Sequence, residues 1–133
     1  MRSASDALEL AAGVVGSAIR EQLWALFLSD DDRPARLAVP IDGLPPMPEH
    51  ELLESTASTI GELLRMLGGG SVVLVRERPG PVGISAADAA WEEALRSACA
   101  RAEVPVRALL LSHDAGVRTL PASLRPCEPE GRR

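Results

Sequence analysis

The amino-acid sequence predicts a mixed α/β fold in which a sheet of about five strands is flanked by three helices. Short apolar runs of strand length alternate with longer segments whose apolar residues recur at helical spacing. Residues 71–75, with the sequence Ser-Val-Val-Leu-Val, are typical of a central strand that helices cover on both faces. The expected order is helix, strand, strand, helix, strand, helix, strand, strand.

Length and composition indicate one domain. The chain has 133 residues, of which 46% are hydrophobic, so we expect residues 1–120 to enclose a single core. Residues 121–133 are rich in proline and charge, and we expect them to form a disordered tail.

The first helix is expected over residues 5–20. Asp6 and Glu9 have the spacing of a helix-capping box, and the apolar residues that follow recur at helical spacing. Gly13 and Gly16 reduce the helix propensity of this segment, although a pair of glycines on an apolar face also permits close packing.

A β-hairpin should follow this helix. Residues 23–28 and 37–41 are apolar runs of strand length, and the acidic residues 30–32 between them predict a turn. Pro40 has no amide hydrogen to donate, so the second strand of the hairpin should lie at a sheet edge.

The remaining elements have clear boundaries. The glycines 68–70 should stop the second helix, and Ser85 followed by Asp88 predicts the N-cap of the third. In that third helix Glu92 and Arg96 should pair on the face opposite the apolar one. Helices are expected at 49–67 and 85–102, strands at 106–111 and 117–120, and a tight turn at 114–116.

Charge and aromatic content argue against a nucleic-acid partner. Aromatic residues make up 2% of the chain, which leaves no platform on which bases could stack. The net charge of −5 opposes contact with a phosphate backbone. All of the basic residues are Arg, which fits a GC-rich bacterial coding sequence as well as any functional demand.

Cysteine usage predicts a cytoplasmic protein. Cys99 and Cys127 lack the spacing of a disulfide framework or a metal knuckle, which favours a reducing compartment. Residues 1–20 carry Asp6 and Glu9 and have no basic flank before an unbroken apolar run, so no signal peptide is expected. No segment approaches the roughly 20 apolar residues of a membrane span, so no membrane association is expected.

Residues 76–88 lead from the central strand through a loop rich in proline and glycine into a helix, a layout on which several zinc enzymes mount their metal. Over roughly residues 23–120 the order of elements resembles the cytidine-deaminase-like fold. The chain resembles the RadC-like relatives of the JAB/MPN metalloproteases more than it resembles the zinc deaminases, and these relatives carry His-x-His-Pro-Ser-Gly-Asp followed by Pro-Ser-x-x-Asp at this place. Here Pro79 is kept, and Ser85-Ala86-Ala87-Asp88 matches the helix start.

The resemblance implies a metal site whose ligands this chain lacks. The two histidine positions fall on Arg76 and Arg78, the loop is about one residue shorter, and no carboxylate lies between Pro79 and Ala87 to serve as a third ligand. A guanidinium has no lone pair to offer and stays protonated. We therefore expect a metal-less relative of the RadC/JAB group, with no metal, no cofactor and no catalytic residue.

Other catalytic patterns are also incomplete. Zinc deaminases need Pro-Cys-x-x-Cys at the third helix, but that helix begins at Ser85, and Cys99 lies more than three turns further on, where core packing explains it. The adjacent Ser112, His113 and Asp114 should point in different directions at a strand end, so they cannot form a hydrolase triad.

Arg76 and Arg78 are the candidate ligand-binding residues. They alternate along the end of the central strand, so both should point to one face at the carboxyl edge, where open α/β sheets place ligands. The purely structural alternative is that they form solvated salt bridges with the neighbours of Glu77 or with carboxylates at helix ends.

Three hypotheses follow for the function. The preferred one is a non-catalytic binding or assembly domain with a protein partner or a second copy of itself, for example as a homodimer. Another possibility is a partner-binding surface on the edge strand 37–41 or along the N-terminal helix. The alternative is an enzyme or small-molecule binder that grips an anionic ligand with the loop from Arg76 to Gly83.

Overall fold

Residues 4–29 and 34–120 are described by a computed structural model, in which they form a five-stranded mixed sheet with three helices. This architecture confirms the predicted fold class and the order of its elements. The elements are α1 (Ala4–Val14), β1 (Gln22–Leu28), β2 (Pro34–Ile41), α2 (His50–Met66), β3 (Ser71–Glu77), α3 (Ala86–Arg101), β4 (Val106–His113) and β5 (Gly116–Thr119). The predicted turn at 30–32 and the predicted tail at 121–133 lie outside the described ranges.

β3 lies at the centre of the sheet, whose strand order is β2-β1-β3-β4-β5. β1 runs antiparallel to both β2 and β3, whereas β3 and β4 are parallel and are joined by α3. β4 and β5 form an antiparallel hairpin. β2 is an edge strand, as Pro40 predicts, and Pro40 pairs there with Trp24 of β1.

Alternating side chains of β3 enter two cores. Val72 and Leu74 belong to the larger core, which α2 and α3 cover, and Val73 and Val75 belong to the smaller core under α1. All four are fully buried, which confirms that both faces of this strand are covered. Cys99 lies in the larger core, as predicted, and burial raises the pKa of its thiol to about 11.

The first helix is shorter than predicted. α1 ends at Val14, and the amide of Gly16 donates back to the carbonyl of Ala11 at 3.2 Å. Gly16 has a φ of +70°, the left-handed conformation that ends helices and that glycine reaches without steric cost. Ile19 therefore lies in the following connection with 82% of its surface exposed. Among the described residues, no atom outside the backbone of α1 and the two neighbours of Gly13 lies within 4 Å of where a side chain of Gly13 would begin, so this glycine supports no close packing with them.

The glycines after α2 end the helix as predicted, and one of them is required by packing. All three residues of 68–70 have a positive φ. A Cβ on Gly70 would lie 2.0 Å from the carbonyl oxygen of Leu28, so a residue with a side chain does not fit there.

The predicted pair on α3 forms, but its position was predicted wrongly. Arg96 donates from Nε to Glu92 at 2.6 Å. Glu92 is 2% exposed, because it lies one turn after the buried Asp88 and shares that side of the helix. In the described part of the chain, 4–29 and 34–120, no helix has both the length and the apolar character needed to cross a membrane.

Candidate functional site

The candidate site lies where β3 ends and α3 begins. Alternation along the strand brings Arg76 and Arg78 to one face before the chain turns through residues 79–84. Ser85 then caps α3: its hydroxyl accepts from the amide of Asp88 at 3.1 Å, and the carboxylate of Asp88 accepts from the amide of Ser85 at 2.9 Å. This capping box confirms the predicted N-cap and fixes the carboxylate next to the two arginines.

Both guanidinium groups bind the carboxylate of Asp88. Arg76 donates from Nε to Oδ1 at 3.0 Å. Arg78 donates from Nε to Oδ1 at 3.2 Å and from Nη2 to Oδ2 at 2.7 Å. Asp88 is fully buried, and each arginine is only 7% exposed. The two arginines share one face, as predicted, and they pair with a carboxylate at a helix end, but they are buried rather than solvated.

Arg78 also closes the loop that follows β3. Its Nη1 donates to the carbonyl of Pro81 at 2.6 Å, and its Nη2 donates to the carbonyl of Gly83 at 2.8 Å. Gly80 has a φ of +137°, and a side chain on it would begin 3.0 Å from Nη1, so glycine leaves room for this clamp. With these contacts and those to Asp88, little of the donor capacity of Arg78 remains for a ligand.

Arg76 is less fully engaged. Its guanidinium carbon lies 5.6 Å from the ring centre of Trp91, and its Nη2 lies 3.7 Å from the half-exposed carboxylate of Glu21. The adjoining cavity, which Leu44 and Pro45 help to enclose, has a volume of about 10 Å³. That is room for about one water molecule, so an anion the size of phosphate does not fit without movement of the chain.

Asp88 is an ionised group at neutral pH. Burial alone would raise the pKa of its carboxyl, but hydrogen bonds from Arg78, the amide of Ser85 and Arg76 outweigh that effect. The pKa of Asp88 therefore lies well below its ordinary value. A carboxylate held in this way is a poor general acid or base near neutral pH, because its pKa is far from the working range.

Glu77 lies on the opposite face of β3 and is 1% exposed. Its Oε2 accepts from the amides of Ile19 at 2.7 Å and Arg20 at 3.3 Å. Its Oε1 accepts from Nε2 of Gln22 at 2.7 Å and from Nε1 of Trp24 at 2.9 Å. Burial raises the pKa of Glu77, but these hydrogen bonds outweigh it, so the pKa is lowered. This carboxylate ties the connection between α1 and β1 to the end of the central strand.

The donor set at this end of the sheet does not fit a metal ion. Within residues 4–29 and 34–120, no three His, Cys, Asp or Glu side chains lie close enough to hold one. Both oxygens of Asp88 accept hydrogen bonds from guanidinium groups, which offer no lone pair and repel a cation.

Residues 112–114 form no triad, as predicted. Ser112 donates from Oγ to the carbonyl of Gly16 at 2.6 Å. His113 accepts at Nδ1 from an amide of its own turn at 3.2 Å. Asp114 accepts at Oδ1 from the amide of Gly80 at 2.8 Å. The three side chains thus bind three different segments of the chain, so they do not form a line along which a proton could be transferred.

Sequence reasoning missed two of the groups that matter here. It assigned Asp88 only a capping role and assigned Glu77 no role at all. The available signal was the alternation of charge along Arg76-Glu77-Arg78 at the end of a strand buried on both faces, because buried charges require partners.

With this geometry described, comparison with known proteins adds no family: no protein-family model matches the chain, and no curated protein gives a significant match.

Proposed function

We propose that this chain is a non-catalytic binding or assembly domain, a metal-less relative of the RadC/JAB group. One observation carries the proposal. The two arginines at the positions that the resemblance assigns to histidines both bind the carboxylate of the Ser-x-x-Asp segment, Asp88. The cluster joins strand, loop and helix with protein groups alone.

The charge of the two arginines supports the same proposal. A divalent metal ion and a pair of guanidinium groups carry the same formal charge, so either can neutralise a carboxylate at this place. Arg76 and Arg78 would then substitute for a metal in the fold while being unable to activate water, since they cannot accept a proton or ligate an oxygen.

The proposal is tested by restoring the two missing histidines beside Asp88, whose carboxylate can replace the third ligand that the resemblance places between Pro79 and Ala87. In the double variant Arg76→His/Arg78→His, two imidazoles and the carboxylate of Asp88 would converge, which is a sufficient protein ligand set for zinc. We expect the native chain to retain no stoichiometric zinc after purification. We expect the double variant to gain a zinc-dependent rise in thermal unfolding temperature, and to lose it when Asp88→Asn is added.

The matched control is Arg96→His/Arg101→His, which adds the same number of imidazoles on α3, away from Asp88. If the native chain contains stoichiometric zinc, the proposal that this domain lacks a metal is wrong. If zinc affects the double variant no more than the control, the equivalence of Arg76 and Arg78 to the histidine positions loses its support. A double variant that is unfolded without zinc still decides the matter, because its refolding on zinc addition is the same readout.

Assembly through the sheet edge is the expected mode of binding. Within the described residues β2 pairs with β1 on one side only, and its residues Leu37, Val39 and Ile41 are half-buried on the core side. Sedimentation equilibrium should show a concentration-dependent mass above that of a 14.1 kDa monomer. A constant monomer mass at all concentrations would exclude self-association and leave a different protein as the partner.

An anionic ligand at the loop from Arg76 to Gly83 is the weaker alternative. Arg78 is occupied by Asp88 and the loop carbonyls, and the cavity beside Arg76 has the size of about one water molecule. If it is nevertheless correct, phosphate or sulfate should raise the unfolding temperature of the native chain and have no such effect on Arg76→Ala, which removes the cation.

A cytoplasmic location remains part of this proposal. The unpaired thiol of Cys99 supports it, since free cysteines persist in reducing compartments.

A further inference from the structure

We propose that the cavity between α2 and the strands β1 and β2 binds a small neutral molecule with a compact apolar body and one hydroxyl group. The cavity has a volume of about 150 Å³. It shares no lining residue with the cluster of Arg76, Arg78 and Asp88, and the inference does not rest on the proposed relation to metalloproteases.

The floor of the cavity is apolar and buried. Ala25 and Phe27 point to the same face of β1, and Ile60 approaches them from α2. None of the three is more than 2% exposed. Leu23 and Phe27 fill that face on either side of Ala25, whose small side chain leaves space beneath the helix.

The side of the cavity is formed by the edge strand. Val39 and Ile41 alternate to the core side of β2 and are only half-buried. Because no strand of residues 4–29 and 34–120 lies beyond β2 in this sheet, we infer that the cavity opens at the sheet edge, where a ligand can enter without separating the core.

Hydroxyl groups stand at the helix side of the opening. Ser55, Thr56 and Thr59 line the cavity from α2. In the part of the chain that the structure describes, none of these hydroxyls makes a hydrogen bond to another protein group. They are therefore free to donate to or accept from a polar group on a bound molecule.

The lining selects the chemical class of the ligand. An apolar cavity of about 150 Å³ accommodates a molecule the size of benzene. Among the described residues, no charged side chain lines it, so an ionised ligand would lose its hydration there without gaining a counter-charge. An aromatic or branched aliphatic body with one hydroxyl satisfies the apolar floor and the hydroxyl rim together.

Benzene, phenol and benzoate are the probes that test this assignment. We expect benzene and phenol to shift the amide NMR signals of residues in α2, β1 and β2, with phenol binding several-fold more tightly. We expect benzoate, which has the same ring and a negative charge, to leave them unchanged. The proposal is wrong if neither neutral probe binds, or if benzoate binds as well as phenol.

Two substitutions separate cavity binding from adsorption to the surface. Val39→Phe fills the cavity from its half-buried side and should weaken binding of both neutral probes by at least about tenfold. The control is Ala38→Phe, which places the same ring on the exposed opposite face of β2 and should bind as the native chain does. Equal binding by the two variants would overturn the assignment.

Thr56→Val tests the hydroxyl rim without changing the shape of the cavity. It should reduce the affinity for phenol to that for benzene and leave benzene unaffected. This variant and the native titrations decide the question even if Val39→Phe fails to fold. If Thr56→Val and its neighbouring variant Thr59→Val both keep the preference for phenol, the hydroxyl part of the proposal is wrong.

Discussion

The last residues of β3 bury a carboxylate on each face of the sheet, and the two faces stabilise it by different means. On one face Asp88 is bound by two guanidinium groups. On the other face Glu77 accepts, within the described residues, only from neutral groups: two amides, a carboxamide and an indole. The first arrangement balances charge with charge, and the second distributes one charge over several dipoles.

The two faces also hold different segments in place. The arginine cluster joins β3 to the loop 79–84 and to the start of α3, whereas Glu77 joins β3 to the connection that follows α1. Loss of the central carboxylate would leave two buried cations on one face and only unpaired neutral donors on the other. The arginine face should therefore be the more sensitive of the two, because an uncompensated buried charge costs more than an unpaired dipole.

The largest effect is expected for Asp88→Ala. It leaves two buried guanidinium groups without their counter-charge, and breaking a buried ion pair in this way costs about 3–5 kcal/mol of unfolding free energy. Asp88→Asn keeps an oxygen for the cap and should cost less. Urea unfolding followed by circular dichroism measures both.

The exposed pair of Glu54 and Arg101 provides the control for that measurement. Glu54→Ala should leave the urea midpoint almost unchanged, because solvent screens this pair. If Asp88→Ala unfolds at the same urea concentration as Glu54→Ala, the cluster does not stabilise the fold.

Glu77→Gln should have the next largest effect. A glutamine keeps the size of the side chain but replaces one acceptor oxygen by a donor, which faces donors from the α1–β1 connection and costs about 1–3 kcal/mol. Hydrogen exchange should accelerate at the amides of Ile19 and Arg20, because a neutral carboxamide oxygen accepts from them more weakly than a carboxylate does, and should stay unchanged in the loop 79–84. Equal acceleration in both segments would show that the two faces are not independent.

The same comparison explains which features could be predicted from the sequence. Local periodicity was sufficient for the order of the described elements, the missing amide hydrogen of Pro40 for the edge position, and the spacing of Ser85 and Asp88 for the cap. The end of α1 was not predictable from apolar spacing, because the left-handed turn at Gly16 stops the helix although Ile19 continues the pattern.

The ionic contacts depend on pairing between distant segments. The donors to Glu77 lie more than 50 residues away in sequence, and two of them, Ile19 and Arg20, lie in a segment that was expected to be helical, so periodicity gave no sign of these contacts. The arginines were predicted to share a face, but their common acceptor depends on how α3 packs against β3. Strand alternation specifies only which side chains point the same way, and not which carboxylate they meet.

Lysine substitutions should distinguish the role of Arg76 from that of Arg78, with smaller losses of unfolding free energy. Lysine keeps the charge but loses the planar fork of donors. Arg78→Lys gives up the bonds to the carbonyls of Pro81 and Gly83, and we expect a loss of about 1–2 kcal/mol with faster exchange in the loop 79–84. Arg76→Lys gives up a single bond to Asp88 and the contact with Trp91, and should cost less. The reverse order would mean that Arg76, and not Arg78, holds the loop.

Lowering the pH is the mildest test, because it protonates only part of the population of each buried carboxylate. The pKa values of Asp88 and Glu77 are lowered in the folded state, whereas in the unfolded chain they return to about 4. Between the folded and unfolded values the unfolded chain binds more protons, so stability is complete above about pH 5 and falls as the pH falls. Unfolding free energies at about pH 6, 4 and 3 should show this slope.

Substitutions show which carboxylate causes the dependence of unfolding free energy on pH. Asp88→Asn and Glu77→Gln each lack one of the titrating carboxylates, so the stability of each should fall less steeply than that of the native chain as the pH drops. The greater reduction in slope is expected for Asp88→Asn, because adjacent cations favour ionisation more strongly than neutral donors do. A native-like slope in both variants would assign the acid sensitivity to other carboxylates.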